Sequence, residues 1–294
     1  MEWVFYALGA MLLWTVVNIL DKYIISHELR DPTMVMIVFG FVIYLVFIVA
    51  AFVFGGPVAL PLGLKYAAIL AGICYSIALW FYYHVMQKEE LTRFVPIMAM
   101  EPFVIAIIAF FMFDERFKWL NYLGMLLIVG GAIVITIKKY HSKIRARYLL
   151  VFALLAVLFF AIRNILFKYA TQTPDYFWPV MFWAGVGGIL LPILLFIFHP
   201  PHLRKKGWEG VYHLAFNAVL SGAAVILFAK AITIGTVSLS SALVGTKPLI
   251  VFIIVTFLSF FHPKIMRERH SPAVLIKKSI ATILIVIGGV LILM

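Results

Sequence analysis

Residues 7–23, ALGAMLLWTVVNILDKY, return as residues 153–169, ALLAVLFFAIRNILFKY. The offset is 146 residues (153 − 7), close to half of the 294-residue chain. The same shift lays Glu101-Pro102 over Lys247-Pro248 without a gap (247 − 101). A chain that carries one unit twice folds into two like halves. Composition narrows the choice further. Hydrophobic residues make up 65% and charged residues 12%, with a mean hydropathy of +1.10, whereas soluble domains are about half apolar and a quarter charged. A water-soluble core has no room for that excess, and a lipid bilayer has.

A membrane helix needs about 20 mainly apolar residues. Ten stretches qualify, near 3–25, 33–54, 65–86, 91–113, 119–137, 148–170, 177–198, 210–233, 237–261 and 273–294. They are too long and too closely spaced for strands, so the spacing predicts an all-α membrane bundle of ten transmembrane helices. Each unit, 1–140 and 146–294, holds five spans. An odd number makes the second unit insert upside down, which gives an inverted repeat about an axis in the membrane plane. The final spans align only with a further shift: Gly130-Gly131 meets Gly288-Gly289 at 158 (288 − 130). These glycines favour close helix approach, as internal packing or as a homodimer contact.

The net charge is +12, but the basic residues form short clusters between apolar spans. Lipid headgroups are therefore the expected partners, and nucleic acid is not. The side bearing the N-terminus carries Lys65, Arg116, Lys118 and Lys168. The opposite side carries Lys22, Arg30, Lys88, Arg93, Lys138, Lys139, Lys143, Arg145, Arg147, Arg204, Lys205, Lys206, Lys264, Arg267, Arg269, Lys277 and Lys278. This bias of 4 against 17 puts the second side in the cytoplasm and both termini outside. The first 25 residues lack a basic n-region and a cleavage site, so they read as a retained span. Cys74 is the one cysteine, which excludes an intramolecular disulfide.

Two near-equal halves of five spans resemble the EamA-type carriers of the drug/metabolite transporter superfamily. The stretch FDERFKWLNYLGMLLIVGGAIVI is similar to that family, with a charged turn bearing Glu115 before a glycine-rich fifth span. Trp14 and Lys22 are similar to its first span. The second half has no glutamate at the matching turn. The resemblance implies a carrier working by alternating access, its cavity lined by spans one, three, four, six, eight and nine, with spans five and ten outside. It also implies cytoplasmic termini, the reverse of the charge count. The expected location is the cell membrane.

Ionisable groups inside spans are the best functional pointers, because each costs about 2.5 kcal/mol or more in lipid. Glu101 and Lys247 are repeat-equivalent, deep in spans four and nine, and each precedes a proline that disrupts the helix. They read as contacts to opposite ends of a substrate, or as a fixed ion pair between the halves. Arg163 offers a fork for carboxylate or phosphate, or snorkels to the interface. Lys230 and His84 are repeat-equivalent and near span ends. Asn18 and Asn164 are the matched polar pair, read as interhelical glue or substrate contacts. Trp14, Asn18 and Asp21 share one face of span one, while Asp21-Lys22 also suits a polar span end. In span three, Tyr83 shares a face with Ser76, Trp80 and Gln87.

No P-loop, H-E-x-x-H or G-x-S-x-G motif is present, and no Cys/His cluster. The chain therefore reads as neither an enzyme nor a cofactor or metal protein. A gradient of substrate or of a coupling ion, proton or sodium, must supply the driving force. Cations outnumber acids among the candidates, which favours a small polar metabolite with an anionic group, an amino acid or organic anion, moved by a secondary active transporter. The alternatives are a proton-coupled exporter of cationic amphiphiles and a flippase for lipid-linked substrates.

Overall fold

The computed structural model describes residues 2–55, 59–115, 118–136, 143–200, 207–261 and 272–293. The helices run α1 (Glu2–His27), α2 (Pro32–Phe54), α3 (Leu62–Lys88), α4 (Leu91–Met98), α5 (Glu101–Phe113), α6 (Trp119–Thr136), α7 (Lys143–Ala170), α8 (Phe177–Gly188), α9 (Leu190–Phe198), α10 (Gly207–Ile234), α11 (Val237–Val244), α12 (Lys247–Phe261) and α13 (Pro272–Leu293). The ten spans expected from sequence are present. Spans four, seven and nine are each broken once, into α4/α5, α8/α9 and α11/α12. Among the described residues, eight helical stretches are long and apolar enough to cross a membrane, and α6 is a shorter apolar helix. Large apolar side chains such as Phe5, Phe111, Phe198 and Phe260 face outward, toward lipid. The protein is an all-α, multi-pass integral membrane protein. The expected unit boundary, between residues 140 and 146, lies partly outside the described residues and partly in the first turn of α7; Arg116, Lys138, Lys139, Arg204, Lys205, Lys206, Lys264, Arg267 and Arg269 lie outside them. The side chains of Lys143 and Arg145 are likewise not described.

The packing repeats itself. Helix α1 lies along α10, and α7, its repeat equivalent, lies along α3, the equivalent of α10. The broken spans cross as α5 on α11 and α4 on α12. Helices α6 and α13 pair outside this core. Their glycines allow it: a Cβ on Gly131 would lie 2.6 Å from the Ala281 carbonyl, and one on Gly288 would lie 2.4 Å from that of Gly124. Gly130 faces open space, so of the first glycine pair only Gly131 makes close packing.

Local chemistry explains the ends and breaks. Asp31 accepts from the Thr33 N–H at 2.9 Å, and Pro32 opens α2 without a wasted donor. Pro102 and Pro248 each lack a donor, and the turns before them tighten. The Met100 N–H bonds the Ile97 carbonyl at 3.1 Å, and the Thr246 N–H bonds that of Leu243 at 3.2 Å. The lysines of NILDKY and NILFKY close the ends of the third span in each repeat. Lys22 Nζ donates to the carbonyls of Met86 and Glu89, both at 2.7 Å. Lys168 Nζ donates to those of Ile232 and Gly235, both at 2.8 Å. These acceptors are again 146 apart (232 − 86, 235 − 89). A cation bonded to the last carbonyls of a helix satisfies them and opposes the negative end of its dipole.

Candidate functional site

Glu101 and Lys247 are each the first residue of the second segment of a broken span, where the two spans cross. Glu101 there meets the positive end of α5, which suits an acid, while Lys247 meets the positive end of α12, which does not. Lys247 therefore needs an acceptor, and Asn18 supplies it. With the Asn18 amide oxygen toward the ammonium, it accepts from Lys247 Nζ at 3.1 Å, and the amide nitrogen donates to Tyr82 Oη and to the Trp14 carbonyl, each at 3.1 Å. The Lys247 ammonium also faces the Trp14 ring, 5.7 Å from its centroid. In the other half, Asn164 Nδ2 donates to Glu101 Oε1 at 2.6 Å, and its oxygen accepts from Arg163 Nη1 at 2.6 Å. Each asparagine thus reaches into the opposite repeat. The Arg163 guanidinium lies 4.6 Å from the Tyr75 ring centroid.

These groups line one central cavity of about 100 Å³, together with Asp21, Tyr75, Tyr82, Phe160, Ser221, Phe228 and Ser241. Tyr75 and Ser221, themselves 146 apart (221 − 75), face each other in its wall. Ser241 Oγ is buried with no hydrogen-bond partner among the described residues. The cavity is walled by spans one, three, four, six, eight and nine, as the resemblance implied, with Phe39 of span two added.

Three readings need correction. Asp21 is not a solvated span end. It is 2% exposed, and its Oδ1 accepts from Asn217 Nδ2 at 2.8 Å and from Tyr83 Oη at 3.2 Å, while Tyr82 Oη approaches Oδ2 at 3.5 Å. Lys22 turns away from it to the helix end described above. The fixed ion pair between Glu101 and Lys247 is not formed: among the described residues each is held by an asparagine. The excess of cations also disappears, because the wall holds two bases, Arg163 and Lys247, and two acids, Glu101 and Asp21.

Of the candidates, Trp14, Asn18, Glu101, Arg163, Asn164 and Lys247 come together. Tyr83, His84 and Lys230 do not line the cavity. Tyr83 is fully buried behind it, holding Asp21. The His84 ring stacks 4.3 Å from Trp80, with Nδ1 2.7 Å from that residue's carbonyl. Lys230 Nζ lies 5.0 Å over the Phe177 ring. Asn217, Ser221 and Ser241 were missed. The signal for Asp21 was its place on the Trp14–Asn18 face, whereas Asn217 has a repeat partner, Ala71, that gave no signal.

Glu115 acts at the rim. Asp114, at φ 51°, ends α5 in the left-handed region. Glu115 then turns back to span nine. Its carboxylate accepts from the N–H groups of Val237 at 3.1 Å and Ser238 at 3.4 Å, and from Ser238 Oγ at 2.6 Å. The acid of the charged turn is thus an N-terminal cap for α11.

Among the described residues, broken spans cross at a polar central cavity, an arrangement that membrane carriers commonly use. The sequence comparison agrees. The model of the EamA-like transporter family matches residues 1–137, the first repeat. That family is one of membrane transporters of the drug/metabolite superfamily. No curated protein matches the chain. A solved structure described only as "Crystal structure of protein" superposes with a TM-score of 0.70 at 15% identity, covering 99% of this chain and 96% of that one. That likeness is one of fold.

Proposed function

We propose that the chain is a secondary active carrier that moves a small zwitterion, an amino acid in preference to an organic anion, by alternating access. The observation that carries this reading is the balanced wall: two cross-repeat links around one cavity, Arg163–Asn164–Glu101 and Lys247–Asn18–Tyr82–Asp21, each with a base at one end and an acid at the other. A substrate carboxylate suits Lys247 or Arg163, and its ammonium suits Glu101 or Asp21. The aromatic walls of Trp14, Tyr75 and Phe160 exclude water from these contacts. The two bases disfavour an exporter of cationic amphiphiles, which would meet like charge in the cavity. A flippase for lipid-linked substrates has no specific support in this geometry.

The test is uptake of a labelled mixture of the twenty common amino acids into proteoliposomes. Lys247→Ala should abolish saturable uptake, and its thermal unfolding in detergent should stay cooperative. Uptake at the native rate in that variant refutes the site. A thermal-shift screen identifies the substrate: at a hundred times its Kd a ligand adds about 2.7 kcal/mol. If only organic acids or sugar phosphates shift the transition, the amino-acid reading fails.

A further inference from the structure

Asp21 has a role that substrate contact does not explain. It is a buried acid with no lysine, arginine or histidine at ion-pair distance among the described residues. Its repeat twin is Phe167, so no symmetric base balances it. A buried carboxyl of this kind requires compensation from a proton, a cation or directed donors. Its two oxygens differ. Oδ1 takes two donors, from Asn217 and Tyr83. Oδ2 has, among the described residues, Tyr82 Oη at 3.5 Å. Sodium is a poor fit, because the groups aimed at the carboxyl are an amide N–H and two phenols and not a shell of free oxygens.

Oδ2 is also one end of a hydrogen-bond chain across the cavity wall. Lys247 Nζ donates to Asn18, the Asn18 amide nitrogen donates to Tyr82 Oη, and Tyr82 points at Asp21. Every donor in this chain is directed toward the acid. The reverse order fits the same atoms: Asn18 Oδ1 lies 3.1 Å from Tyr82 Oη when the amide is turned over. The amide nitrogen then faces the Lys247 ammonium, donor against donor, and the lysine loses its acceptor.

We infer that Asp21 is the coupling-proton site and that its proton releases Lys247 for the substrate. A proton carried into the cavity as hydronium passes to Oδ2 of the carboxylate: one hydronium O–H breaks, leaving water, as the Asp21 O–H forms. The new O–H donates to Tyr82 Oη, the Tyr82 hydrogen turns to Asn18 Oδ1, and the inverted amide frees the Lys247 ammonium for a substrate carboxylate. Beyond that one proton transfer, no covalent bond changes. Proton and substrate then load together and leave together, as a symport.

The helices packed against α1 also carry charged and titratable groups. On α3, Tyr82 and Tyr83 bond Asp21 and Tyr75 lies beside them. On α4, Arg93 is tied to Glu90, and on α10 His213 is held by Glu28. Helix α11 presents serines, and Lys247 is the cation that α12 turns toward Asp21.

This inference rests on the carrier reading, and one experiment separates the two. Wild-type proteoliposomes holding an entrapped pH dye are given the amino-acid mixture. The lumen should acidify in step with saturable uptake. Uptake at sub-saturating substrate should rise as external pH falls, by up to about tenfold per unit, the slope of one linked proton. Asp21→Asn should remove both the acidification and the pH slope from whatever uptake remains. Should that variant not fold, Tyr82→Phe cuts the chain while keeping the acid, and it should lose the pH slope. Saturable wild-type uptake without acidification overturns the proton site, as does a full pH slope in either variant. Absence of saturable wild-type uptake instead overturns the amino-acid carrier beneath it.

Discussion

The two repeats agree in their scaffolding and differ in their chemistry. Lys22 and Lys168 close equivalent helix ends with equivalent carbonyls. Pro102 and Pro248 break equivalent spans, and Asn18 and Asn164 each reach across to the opposite repeat. At the cavity, however, acid stands where the other repeat has base: Glu101 against Lys247. The neighbouring charges diverge too, with Asp21 opposite Phe167 and Arg163 opposite Val17. Positions that build the fold have kept the same residue type in both copies. The charged positions at the cavity differ between the copies. Two identical linings would put like charges together at the crossing, whereas the observed ones set Arg163, Asn164 and Glu101 on one link and Lys247, Asn18, Tyr82 and Asp21 on the other.

Breaking that complementarity should have the largest effect. In Glu101→Lys/Lys247→Glu the total charge is unchanged, but the new lysine joins Arg163 and the new glutamate faces Asp21. Each buried link becomes a like-charge pair, a penalty on the order of 3–5 kcal/mol. Monodisperse protein on size exclusion should fall sharply, and no uptake should remain. A folded, active double swap would show the two linings to be electrically interchangeable. Removing the shared scaffold should act equally in both halves. Lys22→Ala and Lys168→Ala each strand two or more carbonyls, at about 1–3 kcal/mol, so their unfolding transitions should drop by similar amounts. A drop confined to one would mean that the two caps are not equivalent. The smallest expected effect is at the rim, where Glu115→Ala removes the acceptor of the Val237 and Ser238 N–H groups and leaves the Thr236 cap of α11 in place. A loss of about 0.5–2 kcal/mol should appear in thermal unfolding, while Glu115→Gln, which keeps acceptor capacity, should recover part of it. No change in Glu115→Ala would remove Glu115 as an anchor of span nine.

Much of this was legible beforehand because lipid imposes a strong filter on sequence. Span limits such as 33–54 and 177–198 lie within a residue of the helical segments, since apolar length and breaker residues fix them. Glu101, Lys247 and the two asparagines could be found by their rarity in spans and by the repeat. Asp21 was misread because it lies beside a lysine near a span end, where a solvated polar pair is the ordinary pattern. Its burial depends on Tyr82, Tyr83 and Asn217, which are 61 to 196 residues away. His84 and Lys230 were drawn in by the same rule of rarity, but helix rotation turns them out of the cavity, and periodicity alone does not fix rotation in a helix that is apolar all round.

By itself the sequence determined a duplicated, all-α membrane protein, because apolar spans of this length satisfy their backbone in lipid only as helices. Tertiary structure decided which polar groups meet. Hydrogen bonds at 2.6–3.2 Å depend on how each helix is rotated and where it crosses its neighbour, and side-chain packing across the two repeats sets both.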